Sequence, residues 1–239
     1  MSISTFTARR KLNIKVLIPA AGFGTRVGSP PAKELLLRED TKKPLIQYAL
    51  DMASKFNFVS TVISRNNKTE LNDYIYSLDA FDNDKIELCG INSSKDWQDS
   101  ILKSQSYWGD FNIVILPDIS WDPELTVGFI KEKAQEGADL VLATHLIDKS
   151  EINQWGVICE NTNEPNNLFW CEKPNDIPPD LQMIGAWGIF GFHKKIGKSL
   201  LQSILESQDS KRFFQANQNG ISTARLTLTH FKDWTRELI

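Results

Sequence analysis

From Lys15 to His145 the chain alternates short β-rich apolar runs with segments of helical periodicity. "IKVLIPA" is followed by "KPLIQYALDMASKF", in which Leu45, Ile46, Ala49, Leu50 and Ala53 recur at helical spacing. "VSTVIS" pairs with "NKTELNDYIYSL", "DKIELCG" with "WQDSILKSQSYW", and "NIVILPDIS" with "PELTVGFIKEKAQEG", where Pro123 suits a helix start. "ADLVLATHL" is a fifth buried strand. This rhythm predicts βαβ units: a mostly parallel sheet with helices on both faces, an α/β fold of three layers. Ligands of such sheets sit beyond the carboxyl ends of the strands. The loops after Pro19, Ser64, Cys89 and Pro117 are therefore the expected pocket walls.

After about residue 150 the rhythm changes. "QWGVICEN", "LFWCEKP" and "MIGAWGIFGFH" read as three strands with short turns, followed by the helix "KKIGKSLLQSILES" and a last strand, "ISTARLTLTHF". No linker or repeat separates the halves. The expected organisation is a tail over 1–13 and one domain over 14–239, with an elaborated second half from 146. A chain of 239 residues suffices for a large core.

A net charge of −3 gives no general reason to bind nucleic acid or an anionic membrane. Cys89, Cys159 and Cys171 have no zinc or redox spacing, so reduced thiols are expected. The opening "MSISTFTARRKL" has no apolar signal core, and no apolar run is long enough to span a bilayer; a cytoplasmic protein is expected.

The chemistry concentrates in "KVLIPAAGFGTRVGSPPAKELL". A glycine-rich turn after a strand can lay backbone N–H groups against phosphate oxygens. Gly22 and Gly24 remove side chains that would block the approach. Arg26 adds a planar cation suited to forked phosphate contact, and Lys33 a compact one. The glycine spacing fits neither a Walker A loop nor a dinucleotide fingerprint. The same residues also fit a tight turn with solvated cations. Asp118, after the buried "NIVIL", is placed either to hold Mg²⁺ at a strand end or to cap a helix. Glu172 and Lys173 are neighbours on a strand. They can face one pocket only if the strand ends there, which Pro174 allows. Gly156 and Gly185 either admit a ligand to the backbone or mark bulges. Ser100 is a helix-start hydroxyl or an ordinary surface serine. Trp155 and Trp187 are candidate sugar platforms among seven tryptophans, most of which packing explains.

"AAGFGTR…PAKELL…KPLIQYAL" resembles the signature of nucleotidyltransferases that join a nucleoside triphosphate to a sugar phosphate, glucose-1-phosphate thymidylyl- and uridylyltransferases in particular. "LPDI", "WGVICEN…FWCEKP", "GAWGIFGF" and "KDWTREL" resemble further blocks of that family, in order, over nearly the whole chain. The resemblance implies a Rossmann-like α/β/α nucleotidyltransferase fold with a mixed, mostly parallel sheet. It implies Arg26 and Lys33 as catalytic cations, and nucleotide contacts from Ala20, Ala21, Gly22, Gly24, Thr25 and Ser100. It further implies sugar-phosphate contacts from Gly156, Glu172, Lys173 and Gly185, and Mg²⁺ on Asp118 and Asp233. Nucleotide-sugar synthesis for glycan precursors is the family-level expectation, with homo-oligomers open. Ala32 departs from the pattern by standing where the family has a proline, while the short spacer between Arg26 and Lys33 and "DWQDSIL" are similar to cytidylyltransferases. Two alternatives therefore stand beside a sugar-1-phosphate: a non-sugar alcohol phosphate as acceptor, and an inactive nucleotide-sugar-binding regulator of the same fold.

Overall fold

The computed structural model describes residues 12–22, 32–218, 220–228 and 231–234. The alternating half folds as the pattern predicts. Strand β1 (Ile14–Pro19) leads to α1 (Leu45–Lys55), β2 (Val59–Arg65), α2 (Thr69–Tyr76) and a one-turn α3 (Asp79–Asp82). Then come β3 (Ile86–Ile91), α4 (Trp97–Lys103), β4 (Phe111–Ile115), a two-residue β5 (Ile119–Ser120), α5 (Pro123–Glu136) and β6 (Leu140–His145). Asp122 caps α5, its Oδ1 accepting from Leu125 N at 3.2 Å, and Gly137 ends the helix at φ +99°. The cap reading of Asp118 therefore passes to Asp122, which leaves Asp118 to the loop after β4.

The second half supplies β7 (Gly156–Asn161), β8 (Leu168–Glu172), a long β9 (Leu181–His193), α6 (Lys194–Ser210), β10 (Phe214–Gln215), β11 (Thr223–Thr227) and β12 (Lys232–Asp233). The main sheet runs β10-β8-β7-β9-β4-β1-β2-β3, with β6 and β11 continuing from β9. Tracing the pairings, only β8 and β9 run against the other strands of this sheet, so the expected mixed, mostly parallel sheet is borne out. β9 carries two register shifts, opposite Ala143/Thr144 and Ile158/Cys159. They let one strand serve β4, β6 and β7 in turn.

Strand alternation distributes the core to both faces. Val16 and Ile18 pack with Ile46, Leu50, Leu71 and Ile130, from α1, α2 and α5. Leu17 packs the other way, with Ile101 of α4 and Leu200, Leu201 and Ile204 of α6. Each such buried side chain contributes about 1.5–3 kcal/mol of burial free energy, so the two helical layers clamp the sheet from both sides. Cys89, Cys159 and Cys171 are free and buried, and burial pushes the latter two thiols up to about 12. Among the described residues no helix is long and apolar enough to cross a membrane.

Candidate active site

A cleft opens beyond the carboxyl end of β4, as strand order predicts. Its enclosed part measures about 100 Å³ and is lined by Asp118 and Asp233, by Gly156, Glu172 and Lys173, and by the rings of Trp97, Trp155, Trp187 and Phe231. Residues far apart in sequence meet there through three structural devices.

The first is a two-stranded ribbon. β12 pairs antiparallel with β5, Asp233 opposite Ile119, and Trp234 N donates to Asp118 O at 2.9 Å. The backbone thus sets Asp118 and Asp233 side by side. Trp234 anchors the ribbon from behind: its Nε1 donates to Ser120 Oγ at 3.0 Å, and the Arg38 guanidinium lies 4.5 Å from its ring centre. Lys33, on a 3₁₀ turn over Lys33–Leu35, joins this pair, with Nζ 2.8 Å from Asp118 Oδ2.

The second is the abrupt end of β8. Glu172 is its last residue, and Lys173 turns out of the strand at φ +51°, its N donating to Trp155 O at 2.8 Å. The break resolves the alternation problem, and both side chains line one cleft. Glu172 is 2% exposed, and its Oε1 accepts from Trp170 Nε1 at 2.9 Å and Trp187 Nε1 at 2.7 Å. Burial pushes its carboxyl up to about 7. The two indole donors and Lys173 oppose that rise, and Asp96 adds to it.

The third is a buried brace at the end of β1. Lys68 Nζ donates to Ala20 O at 2.8 Å and to Glu34 Oε2 at 2.7 Å; Arg65 Nε donates to Ala21 O at 2.7 Å. Glu34 and Lys68 are 1% and 8% exposed. The brace ties the turn that carries Lys33 to the start of the glycine-rich loop.

Lys33, Asp118, Asp233, Gly156, Glu172 and Lys173 are thus brought together. Gly24, Thr25 and Arg26 lie outside the described residues. Ala20 and Ala21 are buried under the brace, while Gly22 is exposed beyond them. Ser100 is 1% exposed, does not line the cleft, and donates its hydroxyl to Trp97 O at 2.6 Å. Gly185 also lies off the cleft lining. At φ +147° it sits between the register shifts of β9, where a Cβ would lie 2.6 Å from His145 O, so local packing accounts for it. Gly156 makes room for side chains, since a Cβ there would lie 2.0 Å from Trp187 Nε1.

Asp96 and Trp97 line the cleft where the loop after β3 enters α4, as expected of the loop after Cys89, although neither was singled out. Sequence reasoning missed altogether the brace and Phe231, which lies over Gly188. It also passed over Trp170, although a tryptophan two residues before a glutamate on one strand shares its face.

Asp118 and Asp233 fit a divalent cation. They supply two hard oxygen donors on adjacent backbones, and Mg²⁺ is commonly held by one or two carboxylates completed by water and phosphates. Among the described residues no group of three or more His, Cys, Asp and Glu forms a complete protein cage, so the remaining ligands would come from substrate and solvent.

No protein-family model and no curated protein matches the chain. Solved structures do. One described as a glucose-1-phosphate thymidylyltransferase from Bacillus anthracis, in complex with sucrose, superposes with a TM-score of 0.69 at 14% identity, over 93% of this chain and 90% of that one. A UDP-glucose pyrophosphorylase complexed with UDP-glucose gives 0.64 at 23% identity, over 92% and 93%. A UDP-glucose pyrophosphorylase from Acinetobacter baumannii gives 0.67 at 17% identity, over 94% and 89%. At these identities the likeness is one of architecture: the chain has the fold of these sugar-phosphate nucleotidylyltransferases, over 92–94% of its length.

Proposed function

We propose that this chain is a sugar-phosphate nucleotidylyltransferase, condensing a nucleoside triphosphate with a sugar-1-phosphate to give a nucleotide-sugar and pyrophosphate. One observation carries the reading. Lys33, Asp118, Asp233, Glu172 and Lys173 converge at the strand-end cleft of a fold whose solved relatives include enzymes of this type. Solved relatives are described as bound to UDP-glucose or UTP, consistent with nucleotide and sugar ligands here.

In this proposal residues 14–145 form the nucleotide half and 146–239 the acceptor half. The obstacle is repulsion between two anions as a phosphate oxygen of the acceptor attacks the α-phosphorus. Fixed cations and alignment lower that barrier without a covalent intermediate. Lys33 stabilises charge on the α-phosphoryl group, and its contact with Asp118 holds it at the cleft before substrate arrives. Arg26 and the loop N–H groups hold the departing β,γ-phosphates. Lys173 positions the acceptor phosphate, and Glu172 reads the acceptor's hydroxyls. Asp118 and Asp233 would hold Mg²⁺, which when bound neutralises phosphate charge.

The test is a panel of nucleoside triphosphates and acceptor phosphates with Mg²⁺, followed by pyrophosphate release. Release is expected only when a triphosphate and a sugar-1-phosphate are both present. Release supported only by a non-sugar alcohol phosphate would replace the acceptor assignment. No turnover with any pair, from protein that still binds triphosphate, would point to a binding protein instead.

A further inference from the structure

The Glu172 carboxyl is held asymmetrically. Two indole N–H groups converge on Oε1, one from Trp170 on the same face of β8 and one from Trp187 on β9. An indole nitrogen only donates, so this pair can serve nothing but an acceptor, and together they occupy the lone pairs of that oxygen. The backbone beneath is fixed as well, Glu172 N donating to Ser207 Oγ at 3.2 Å. Gly156, opposite Glu172 in the β7–β8 register, keeps the arrangement open: a Cβ there would lie 2.2 Å from Oε1. No described hydrogen bond reaches Oε2. Trp170 is fully buried and does not line the cleft, whereas Trp187 and Glu172 both do.

We propose that Trp170 and Trp187 are positioning residues that dedicate Oε1 of Glu172 to the protein and present Oε2 to the acceptor as a single, directed hydrogen-bonding atom. The proposal deepens the reading above, on which Glu172 faces the acceptor. A carboxylate with both oxygens available accepts bidentate partners in several poses. One whose first oxygen is saturated selects a hydroxyl at one position on the acceptor. Its protonation also matters. The charged and titratable groups around it are Cys171 on its own strand, Lys173 just past the strand's end, Asp96 at the start of α4, and Asp118 and Asp233 across the cleft; Ser207 of α6 is neutral. Burial places the Glu172 titration at about 7, so Oε2 changes from donor to acceptor as pH rises through neutrality.

Two readouts test this. In ¹⁵N-tryptophan-labelled protein the indole N–H resonances of Trp170 and Trp187, assigned by their loss in Trp170→Phe and Trp187→Phe, should titrate together with one midpoint near neutrality. Both should stop moving in Glu172→Gln. Kinetically, Trp170→Phe should raise the acceptor KM several-fold, because Oε1 is then free to compete with Oε2 for the acceptor's hydroxyl, and leave the triphosphate KM unchanged. It should also move the pH midpoint of acceptor binding upward, since one donor that favours the ionised form is gone. Resonances that stay still between pH 5 and 9, or a folded Trp170→Phe with wild-type acceptor KM and midpoint, would overturn the proposal. If Trp170→Phe does not fold, Trp187→Phe carries the same readouts. A chain that turned over no sugar phosphate would defeat the functional reading, while the spectrum would still decide whether the indoles hold Glu172.

Discussion

Lys68→Met should unfold this protein far more easily than a surface change would, because it strands a buried charge. Lys68 and Glu34 are 8% and 1% exposed, with Nζ 2.7 Å from Oε2. Burial pushes the Lys68 ammonium below its ordinary value even though Glu34 beside it pulls the other way, so desolvation outweighs the attraction. Such a pair contributes little net stability when intact and costs a great deal when half removed. Deleting the lysine leaves Glu34 uncompensated and takes from Ala20 O the donor at 2.8 Å. The expected loss is about 3–5 kcal/mol. For a chain of this size that corresponds to a fall of roughly 6–20 °C in Tm. The double variant Glu34→Leu/Lys68→Met removes both charges and should recover to within about 1 kcal/mol of wild type. Urea unfolding at pH 7 measures this as a shift in midpoint at constant m. A single variant costing under about 1 kcal/mol, or a double variant no more stable than the single, would refute the argument.

Glu172 makes stability depend on pH. Its carboxyl titrates at about 7 in the folded chain against 4.5 for an exposed glutamate, so the folded state keeps a proton that the unfolded state has released. That contribution is fully present below pH 4.5 and is lost as pH rises to about 7, in all about 3 kcal/mol. Glu172→Gln still offers an oxygen to both indoles, so urea midpoints measured across this window should show a flatter pH slope than wild type. An unchanged slope would mean that Glu172 titrates normally. Gly156→Ala should cost about 1–3 kcal/mol and weaken acceptor binding, because the new methyl group would collide with the Trp187 indole and Glu172 Oε1. A variant with wild-type urea midpoint and acceptor KM would show that the indole has room to move aside.

The first half of the fold was legible because hydrophobic period and turn residues speak locally. β1 and α1 each announce themselves within a dozen residues. The second half was legible as strands and not as a sheet: an apolar run such as "MIGAWGIFGF" says nothing of direction, so β9 threading antiparallel between β4 and β6 could not be read from it. The two-residue β5 and β12 are too short for any periodicity, yet they decide where Asp118 and Asp233 meet. Asp118 was readable from the rule that strand ends carry ligands. The Lys68 brace was not, since lysine is ordinarily a surface residue and only tertiary burial reverses that expectation. Glu172 and Lys173 posed a contradiction by strand alternation, and the left-handed turn at Lys173, a conformation its residue type would not suggest, removes it.

The proposed reaction requires distant side chains to act from one cleft on a single phosphoryl transfer. The most direct measurement is pyrophosphate release by folded Lys33→Ala, Asp118→Asn, Asp233→Asn and Lys173→Ala, each beside wild type with saturating triphosphate and sugar-1-phosphate. Each variant should lose on the order of 10²–10³ in turnover, the usual consequence of removing one electrostatic stabiliser at a reacting phosphoryl group. Variants that fold normally and release pyrophosphate at near-wild-type rates would contradict it.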